Sequence, residues 1–216
     1  MRHLRKHTGS MRFYAATGNA GKLRELREIF EPYGVAIDSW APYTQPEETS
    51  DTYAGNATIK ARALREQLAA SGICAPVIAD DSGLEISALG GRPGVHSARY
   101  GGDDATWAQR REILLREVAN SRSDDRRARF VCVLCYIAPD GEEIYAEGFA
   151  DGELSRDERG ELGFSYDPIF YDPGEHATFA ELSAARKNSV SHRARAAHAL
   201  MEKLQAHEAK QRSGGT

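Results

Sequence analysis

The 216-residue chain has no long apolar run and no excess of basic residues. No segment approaches the roughly 20 consecutive apolar residues of a membrane span, and the N-terminus lacks the apolar core of a secretory signal. These absences argue against a membrane partner and favour a cytoplasmic protein. The net charge of −4 opposes a general nucleic-acid binder, which normally carries a basic surface. Any anionic ligand must therefore be held by local basic residues.

Cysteine is also scarce, and its three copies cannot form a disulfide framework. Cys132 and Cys135 have the spacing of half a zinc site. They fall in a strand-like run, however, where residues three apart face opposite sides of a sheet, and no second cysteine pair follows. We therefore expect both to be core residues.

The rest of the composition, 41% hydrophobic and 28% charged, is that of an ordinary soluble protein with a substantial core. Residues 1–10 are basic and aperiodic and are interpreted as an extension outside the fold. Residues 205–216 are polar and are expected to be a frayed tail. Residues 11–204 contain no repeat or linker, so they are expected to form a single domain.

The most informative stretch lies at residues 77–100. An apolar run at 77–79 ends in Asp80, Asp81, Ser82 and Gly83, and apolar residues then resume. We interpret this as a buried strand that presents two carboxylates and a hydroxyl at its C-terminal edge, where open α/β sheets bind ligands. Adjacent carboxylates repel, and Mg²⁺ would offset that repulsion with few protein ligands. The alternative is ordinary turn chemistry after a strand.

A second candidate site lies between a short strand at 12–16 and a helical pattern at 22–30. Its residues are Thr17, Gly18, Asn19, Ala20, Gly21 and Lys22, here called the βα turn. A strand, a glycine turn and a helix N-terminus direct free backbone N–H groups at one point, which suits a phosphate, and Lys22 adds a positive charge. The glycines are too close together for a Walker A loop. The alternative is a tight turn that ends in a surface lysine.

Two further segments carry polar candidates. A helix is predicted from Asp51 or Thr52 to about Ala70, with Asn56 and Lys60 one turn apart beside its apolar face. They either reach a ligand or lie on an ordinary helix surface. Arg99 lies in a glycine-rich loop whose backbone can approach a ligand closely.

Strands at 129–138 and 143–148 flank a hairpin turn and lead to an aromatic-rich segment at 160–171, here called the aromatic loop. Its central residues are Phe164, Ser165, Tyr166 and Asp167. Aromatic side chains on an irregular loop offer a flat face to a nucleobase, and a buried cover loop is the alternative.

Basic residues crowd a predicted helix break at Asn188 and Ser189. They are Lys187, His192, Arg193 and Arg195, and Ser191 is the predicted N-cap of the final helix. Cations at a helix N-terminus are unfavourable because the dipole is positive there, and an anionic ligand would remove the conflict. A basic surface helix is the alternative.

Five segments together resemble, in the same order, the motifs of the inosine/xanthosine triphosphate pyrophosphatases, a family also called Ham1-like. They are TGNAGK at 17–22, NATIKA at 56–61, ADDSGLEISALGGRPGVHSARY at 79–100, GFSYDPIF at 163–170 and ELSAARKNSVSHRARA at 181–196. The resemblance extends over residues 11–204. It implies an elongated α/β fold in which a long mixed central sheet carries two lobes that flank a nucleotide-binding cleft, usually in a homodimer.

The resemblance also implies hydrolysis of ITP, dITP or XTP, with Mg²⁺, to the monophosphate and pyrophosphate, which removes non-standard purines from the nucleotide pool. Asp81 would be the metal-binding catalytic carboxylate, with Asp80 beside it. Lys22 and the rest of the βα turn would hold the phosphates, assisted by Lys60. The remaining implied substrate contacts are Asn56, Ser82, Arg99, Phe164, Ser165, Tyr166, Asp167, Lys187, His192 and Arg193. His192 and Arg193 would donate hydrogen bonds to the 6-oxo group of the base.

The sequence departs from the family pattern at two positions. Gly55 stands where many members have a glutamate, and Glu47 or Glu48 could replace that acid. Ser165 stands where glycine is usual. Because the acid is missing, an alternative function remains open, that of a regulatory protein that binds a nucleotide without turnover. A nucleic-acid-binding module that uses Arg193 and Arg195 is disfavoured by the acidic charge balance.

Overall fold

The computed structural model describes residues 11–214, with side chains described to residue 211. In this range the strands are β1 (Met11–Ala15), β2 (Val35–Asp38), β3 (Val77–Ile86), β4 (Pro93–Gly94), β5 (Arg127–Ile137), β6 (Glu143–Leu154), β7 (Phe170–Asp172) and β8 (Ala177–Thr178). The α-helices are α1 (Ala20–Phe30), α2 (Tyr53–Ala70), α3 (Trp107–Ala119), α4 (Ala184–Val190) and α5 (His192–Gly214). None of the helices in the described range is long and apolar enough to cross a membrane.

The strands form one mixed sheet in the order β2-β1-β3-β5-β6-β7-β8, with β4 paired to β3. The strands β2, β1 and β3 run parallel, whereas β3, β5, β6, β7 and β8 pair antiparallel. The predicted α/β class with a mixed central sheet is confirmed.

One edge of β3 is open in its middle. The strand β1 pairs with β3 only at Val77 and Ile78, and β4 pairs with it only at Leu84 and Glu85. Along residues 79–83 the ladder on the other edge, to β5, is continuous. The sheet therefore leaves a gap beside Asp80 and Asp81 in which a ligand can approach the strand.

Helices cover the two faces of the sheet. The helices α1 and α5 pack on one face, where Phe30 and Leu200 share a core cluster with Phe13 of β1, and α2 packs on the other through Leu64 and Leu68. Cys132 and Cys135 are buried in these two opposite layers, as predicted.

Glycine sets the approach of α5 to the sheet. A Cβ atom on Gly148 of β6 would lie 2.1 Å from the backbone oxygen of His192, at the start of α5. Only glycine allows this contact, because a side chain would push the helix away. The start of α5, with His192 and Arg193, is thereby fixed against the sheet.

Local signals predicted several elements correctly. Thr52 caps α2 with its side chain, and Ser191 accepts a hydrogen bond from the backbone of Ala194 at the start of α5. The predicted hairpin is present, although β6 continues to Leu154.

Three predictions differ from the structure. The strand β3 does not end at Asp80 but continues to Ile86, so the acidic pair lies within the strand. The chain does not break at Asn188 and Ser189, which lie in α4, but at Ser191. Residues 205–214, which we expected to fray, continue α5. The predicted extension at 1–10 lies outside the described residues.

Candidate active site

A cleft lies against the open edge of β3, and we call it the β3 cleft. The predicted site residues that line it are Thr17, Asn19, Lys22, Lys60, Asp81, Ser82, Phe164, Ser165, Tyr166, Asp167, Lys187, His192 and Arg193. Glu48, one of the two acids considered as a replacement at position 55, also lines it. The lining residues that the sequence did not single out as site residues are Gln45, Gly83, Val95, Ser97, Ala98, Trp107 and Phe130. Five segments that are distant in sequence thus meet in one place.

The βα turn forms the entrance to α1. Thr17 Oγ1 accepts a hydrogen bond from the backbone N–H of Asn19 at 3.1 Å, and Asn19 Oδ1 accepts one from the N–H of Lys22 at 3.1 Å. The Lys22 ammonium lies 3.2 Å from Asp80 Oδ2 and is partly exposed to the cleft. The turn therefore places a helix N-terminus and a cation at the same end of the cleft, as predicted.

Asp80 and Asp81 point to opposite faces of the sheet, because successive residues of a strand alternate. Asp80 faces α1 and α5, where its Oδ2 accepts hydrogen bonds from Arg193 Nη2 at 2.9 Å and Nε at 3.2 Å. Burial alone would raise the pKa of Asp80, but Lys22 and Arg193 outweigh burial and hold that pKa well below its ordinary value. Asp80 is therefore a stable buried anion behind the cleft wall, not a lining residue.

Asp81 faces α2. Its Oδ1 accepts a hydrogen bond from Lys60 Nζ at 3.0 Å, and its Oδ2 accepts one from Asn56 Nδ2 at 3.3 Å. Burial raises the pKa of Asp81, and the lysines only partly oppose this effect. Asn56 lies behind Asp81 and does not line the cleft, so its contact with the site is indirect.

Glu48 supplies a second carboxylate on this face. Its Oε1 lies 2.9 Å from the same Lys60 ammonium that binds Asp81, and Glu48 lines the cleft. Two carboxylates thus share one lysine, which leaves this face with a deficit of positive charge. The backbone oxygen of Glu48 also lies 3.4 Å from Arg99 Nη1, which places exposed Arg99 at the rim.

Gly55 is required by the local packing. A Cβ atom at this position would lie 2.0 Å from Ser50 Oγ, and the Gly55 N–H donates a hydrogen bond to Thr52 Oγ1. A glutamate at position 55 would therefore displace the segment before α2. Of the two acids that we considered as replacements, Glu48 lies in the cleft lining, whereas Glu47 does not.

The aromatic loop does not offer two free aromatic faces. Tyr166 is fully buried, donates a hydrogen bond to the backbone oxygen of Ser97 at 2.9 Å and packs edge-on against Trp107. Phe164 is only partly buried and lines the cleft. The expectation of an exposed aromatic platform therefore applies to Phe164, and Tyr166 fits the alternative of a buried cover.

Ser165 has a backbone conformation that favours glycine. Its φ is 60°, in the left-handed region, and its backbone oxygen accepts a hydrogen bond from Arg111 Nη1 at 2.8 Å. The serine therefore carries backbone strain at this position.

The basic cluster near α5 is neutralised by the protein's own carboxylates. Lys187 forms ion pairs with Glu25 and Asp167, and Arg193 forms ion pairs with Glu25 and Asp80. We expected an anionic ligand to relieve the crowding of cations at the start of α5. In the structure three buried acids of the protein, Glu25, Asp80 and Asp167, already pair with these cations, so the crowding by itself does not require a ligand.

His192 is buried and stacks on Phe130, with ring centroids 4.5 Å apart. Burial, followed by repulsion from Arg193, lowers the pKa of His192 well below its ordinary value. The imidazole is therefore neutral, and its Nδ1 has no hydrogen-bond partner within residues 11–211. A neutral ring retains one N–H donor for a ligand.

Sequence reasoning missed Glu25 and left Glu48 as one of two alternatives. The signal for Glu25 is its spacing, because positions 22, 25 and 29 lie on one face of α1, and Ile29 is buried there. Gly18, Ala20 and Gly21 belong to the βα turn but do not line the cleft. Among the described residues, no group of three or more His, Cys, Asp or Glu side chains forms a metal-binding cluster.

The fold and the cleft define an α/β enzyme in which cations, carboxylates and the ring of Phe164 line one cleft. Residues 13–203 match the family model described as the Ham1 family. The chain therefore belongs to the Ham1 family.

Curated relatives and solved structures agree with this assignment. The chain is 45% identical over 190 residues to a dITP/XTP pyrophosphatase of Geobacillus kaustophilus. The aligned region covers 87% of this chain and 91% of the relative. It is 44% identical over 194 residues to a dITP/XTP pyrophosphatase of Thermus thermophilus, covering 89% and 91%. The structure of a HAM1 protein from Coxiella burnetii has a TM-score of 0.79 and 36% identity, covering 91% of this chain and 99% of that one.

Proposed function

We propose that this protein hydrolyses non-standard purine nucleoside triphosphates, ITP, dITP and XTP, between the α and β phosphates. The products are the nucleoside monophosphate and pyrophosphate, and the activity removes these nucleotides from the precursor pool. The observation that carries the proposal is the buried Asp81 carboxylate, with raised pKa, between Lys60 and the lysine of a helix N-terminus. The curated relatives are named for the same activity.

The cleft has two chemically different ends. Thr17, Asn19 and Lys22 of the βα turn line one end, where Lys22 and the N-terminus of α1 place positive charge that suits the phosphates. Phe164, His192 and Arg193 offer a ring face and hydrogen-bond donors, which suit a purine base. A triphosphate that spans these ends passes Asp81 and Ser82 on the open edge of β3.

The residues at Asp81 fit a magnesium ion. Mg²⁺ commonly uses one or two carboxylates and completes its shell with water and phosphate oxygens, so the absence of a larger acidic cluster within the described range does not oppose it. Asp81 would hold the ion, and Glu48 is placed to assist across Lys60. When bound, the ion would neutralise charge on the phosphate oxygens.

The reaction itself is assigned to Asp81. Its carboxylate orients a water molecule towards the innermost phosphorus and accepts a proton from it as the oxygen attacks. A raised pKa makes Asp81 a better proton acceptor than an ordinary aspartate. Lys22 and Lys60 stabilise the negative charge that shifts onto the phosphate oxygens and the departing pyrophosphate.

Base selection is assigned to His192 and Arg193. The 6-oxo group of hypoxanthine or xanthine accepts hydrogen bonds, whereas the 6-amino group of adenine donates them and leaves these donors unpaired. The neutral state of His192 is compatible with this role, because one ring N–H is available.

The proposal extends to the setting of the enzyme. We propose a cytoplasmic homodimer whose ligand is a nucleotide and not a nucleic acid or a membrane. Its acidic net charge of −4 supports a local rather than an extended anion site.

A substrate panel tests the proposed function. The purified protein with Mg²⁺ is incubated with ITP, XTP, ATP and GTP, and the phosphorus products are identified. We expect ITP or XTP to be converted far faster than ATP or GTP, with pyrophosphate as the primary product. Orthophosphate as the primary product would exclude the proposed bond. Tight ITP binding without turnover would instead support the regulatory alternative.

A further inference from the structure

Glu25 is a buried acid in the wall behind the β3 cleft, and the mechanism above does not use it. It lies on α1, only 5% exposed, and does not line the cleft. Its Oε1 lies 2.7 Å from Lys187 Nζ, and its Oε2 accepts a hydrogen bond from Arg193 Nη1. One carboxylate therefore holds two cations that come from α4 and α5.

The charges around Glu25 balance. The buried acids are Glu25, Asp80 and Asp167, and the cations paired with them are Lys22, Lys187 and Arg193. Burial alone would raise the pKa of Glu25, but Arg193 and Lys187 lower it below its ordinary value, so the carboxylate is ionised. Removing its charge would leave three cations with two anions in a buried network.

Glu25 is the acid in this network that contacts both Lys187 and Arg193. Asp167 contacts Lys187 alone, and Asp80 contacts Arg193 and Lys22. Without Glu25, Lys187 would be drawn towards Asp167 of the aromatic loop. Arg193 would be drawn towards Asp80 of β3. The spacing between the two cations would change, and so would their placement over Phe164, whose ring centroid lies 4.9 Å from Lys187 Nζ.

The helix α1 also connects this network to the phosphate end of the cleft. Glu25 lies three residues after Lys22, on the same face of the helix. The βα turn and the cations near Phe164 are therefore fixed to one rigid element. We therefore expect a substitution of Glu25 to change the positions of Lys187 and Arg193 relative to the βα turn.

We propose that Glu25 is a positioning residue that sets the placement of Lys187 and Arg193, and thereby the affinity and base selectivity of the cleft. The proposal rests on the proposed function, because that function assigns Arg193, which Glu25 holds, to the base of a purine nucleotide. Glu25 itself touches no substrate.

Glu25→Gln and Glu28→Gln form a matched pair for the test. Glu28 lies one turn further along α1, is exposed, and accepts a hydrogen bond from Asn188 of α4 at 2.6 Å, away from the cleft. Both substitutions remove one charge and weaken one contact between α1 and α4. Only Glu25→Gln disturbs the cations of the cleft.

We expect Glu25→Gln to lower kcat/KM for ITP by about 10- to 100-fold, the range for losing hydrogen bonds to charged groups, mainly through KM. The ratio of kcat/KM for ITP to that for ATP should fall as well. Glu28→Gln should stay within about twofold of the wild type in both quantities. A loss of folded protein alone would lower kcat for every substrate equally and leave the ratio and KM unchanged.

Glu25→Asp separates charge from position and guards against a glutamine variant that does not fold. It keeps the charge but is one methylene shorter, so it cannot reach both cations with the same geometry. We expect it to fold, with raised KM and reduced selectivity. Wild-type KM and selectivity in both Glu25→Asp and Glu25→Gln would overturn the proposal. If Glu25→Gln does not fold, wild-type values in Glu25→Asp alone would overturn it. Failure of the wild-type protein to cleave ITP would instead reject the proposed function.

Discussion

The two faces of β3 treat adjacent aspartates in opposite ways. On the α1 and α5 face, Asp80 is surrounded by Lys22 and Arg193, and its pKa lies well below the ordinary value. On the α2 face, Asp81 shares Lys60 with Glu48, and its pKa is raised. Two neighbouring residues of the same type therefore have different chemistry, because the sheet separates their surroundings.

This difference assigns a role to each face. An acid with an excess of cations serves to hold those cations in place. An acid with a deficit of cations gains most from a proton or a metal ion. The comparison supports our proposal that Asp80 organises the site and that Asp81 carries out the reaction.

The largest expected effect is on turnover when Asp81 is changed. Asp81→Asn keeps the shape of the side chain but removes the proton acceptor and the metal ligand. We expect kcat to fall by about 1,000-fold or more, since proton transfer and metal binding are both lost. Steady-state kinetics with ITP measures the loss, and circular dichroism checks the fold. Near-normal turnover would remove Asp81 from the role that we assign to it.

Asp80→Asn should act mainly on stability. It leaves the buried Arg193 and Lys22 without their shared anion, which we expect to cost about 3 kcal/mol in the free energy of unfolding. Urea denaturation measures this value. In the same experiment, Asp81→Asn should lower the free energy of unfolding only slightly, because the nearby lysines compensate the burial of the Asp81 charge only in part. Equal destabilisation by both changes would contradict the distinction between the two faces.

The pH dependence of stability should also differ between the two acids. Because the pKa of Asp81 is raised in the folded state, its contribution is present below the ordinary pKa and is lost as pH rises through the folded pKa. Without divalent metal, the stability of Asp81→Asn relative to the wild type should therefore increase over that range. Urea denaturation across pH 4 to 8 measures the difference.

The contribution of Asp80 has the opposite sign. Because its pKa is lowered, the stability that it supplies is present above the ordinary pKa of aspartate and is lost only as pH falls through the lower folded pKa. The cost of Asp80→Asn should therefore be constant from pH 5 to 8. A cost that disappeared within this range would contradict the account.

The smallest expected effect is at Ser165. Its φ of 60° is strained for serine, so glycine should stabilise the folded state by removing that strain. Glycine also makes the unfolded chain more flexible, which lowers the free energy of unfolding and opposes the gain. We expect Ser165→Gly to change stability by less than about 1 kcal/mol. His176 has a φ of 53° in the turn between β7 and β8 and provides the control. We expect His176→Gly to change stability by a similarly small amount. A change in KM for ITP should accompany only the substitution at Ser165, which lines the cleft.

Local patterns predicted the parts of the fold that depend on neighbouring residues. The cap at Thr52, the hairpin turn after β5 and the alternation that buries Cys132 and Cys135 are all signals within a few residues. Of the predicted site residues in the βα turn and the central aromatic loop, Thr17, Asn19, Lys22, Phe164, Ser165, Tyr166 and Asp167 line the cleft, whereas Gly18, Ala20 and Gly21 do not.

Predictions failed where a distant residue decided the outcome. Asp80 and Asp81 resembled the end of a strand because acidic pairs are rarely buried, but Arg193 and Lys60 come from far along the chain and stabilise them inside β3. The polar composition of α4 concealed a short helix whose N-cap, Ser183, accepts a hydrogen bond from the Arg186 N–H. Glu25 was missed for the same reason, since its partners are Lys187 and Arg193.

Isotope labelling of the reaction tests the central claim most directly. ITP is hydrolysed with Mg²⁺ in water enriched in oxygen-18, and the label is located by mass spectrometry after a single turnover. If Asp81 directs water to the innermost phosphorus, the label will appear in inosine monophosphate and not in pyrophosphate. Label in pyrophosphate, or in orthophosphate formed as the primary product, would contradict the account.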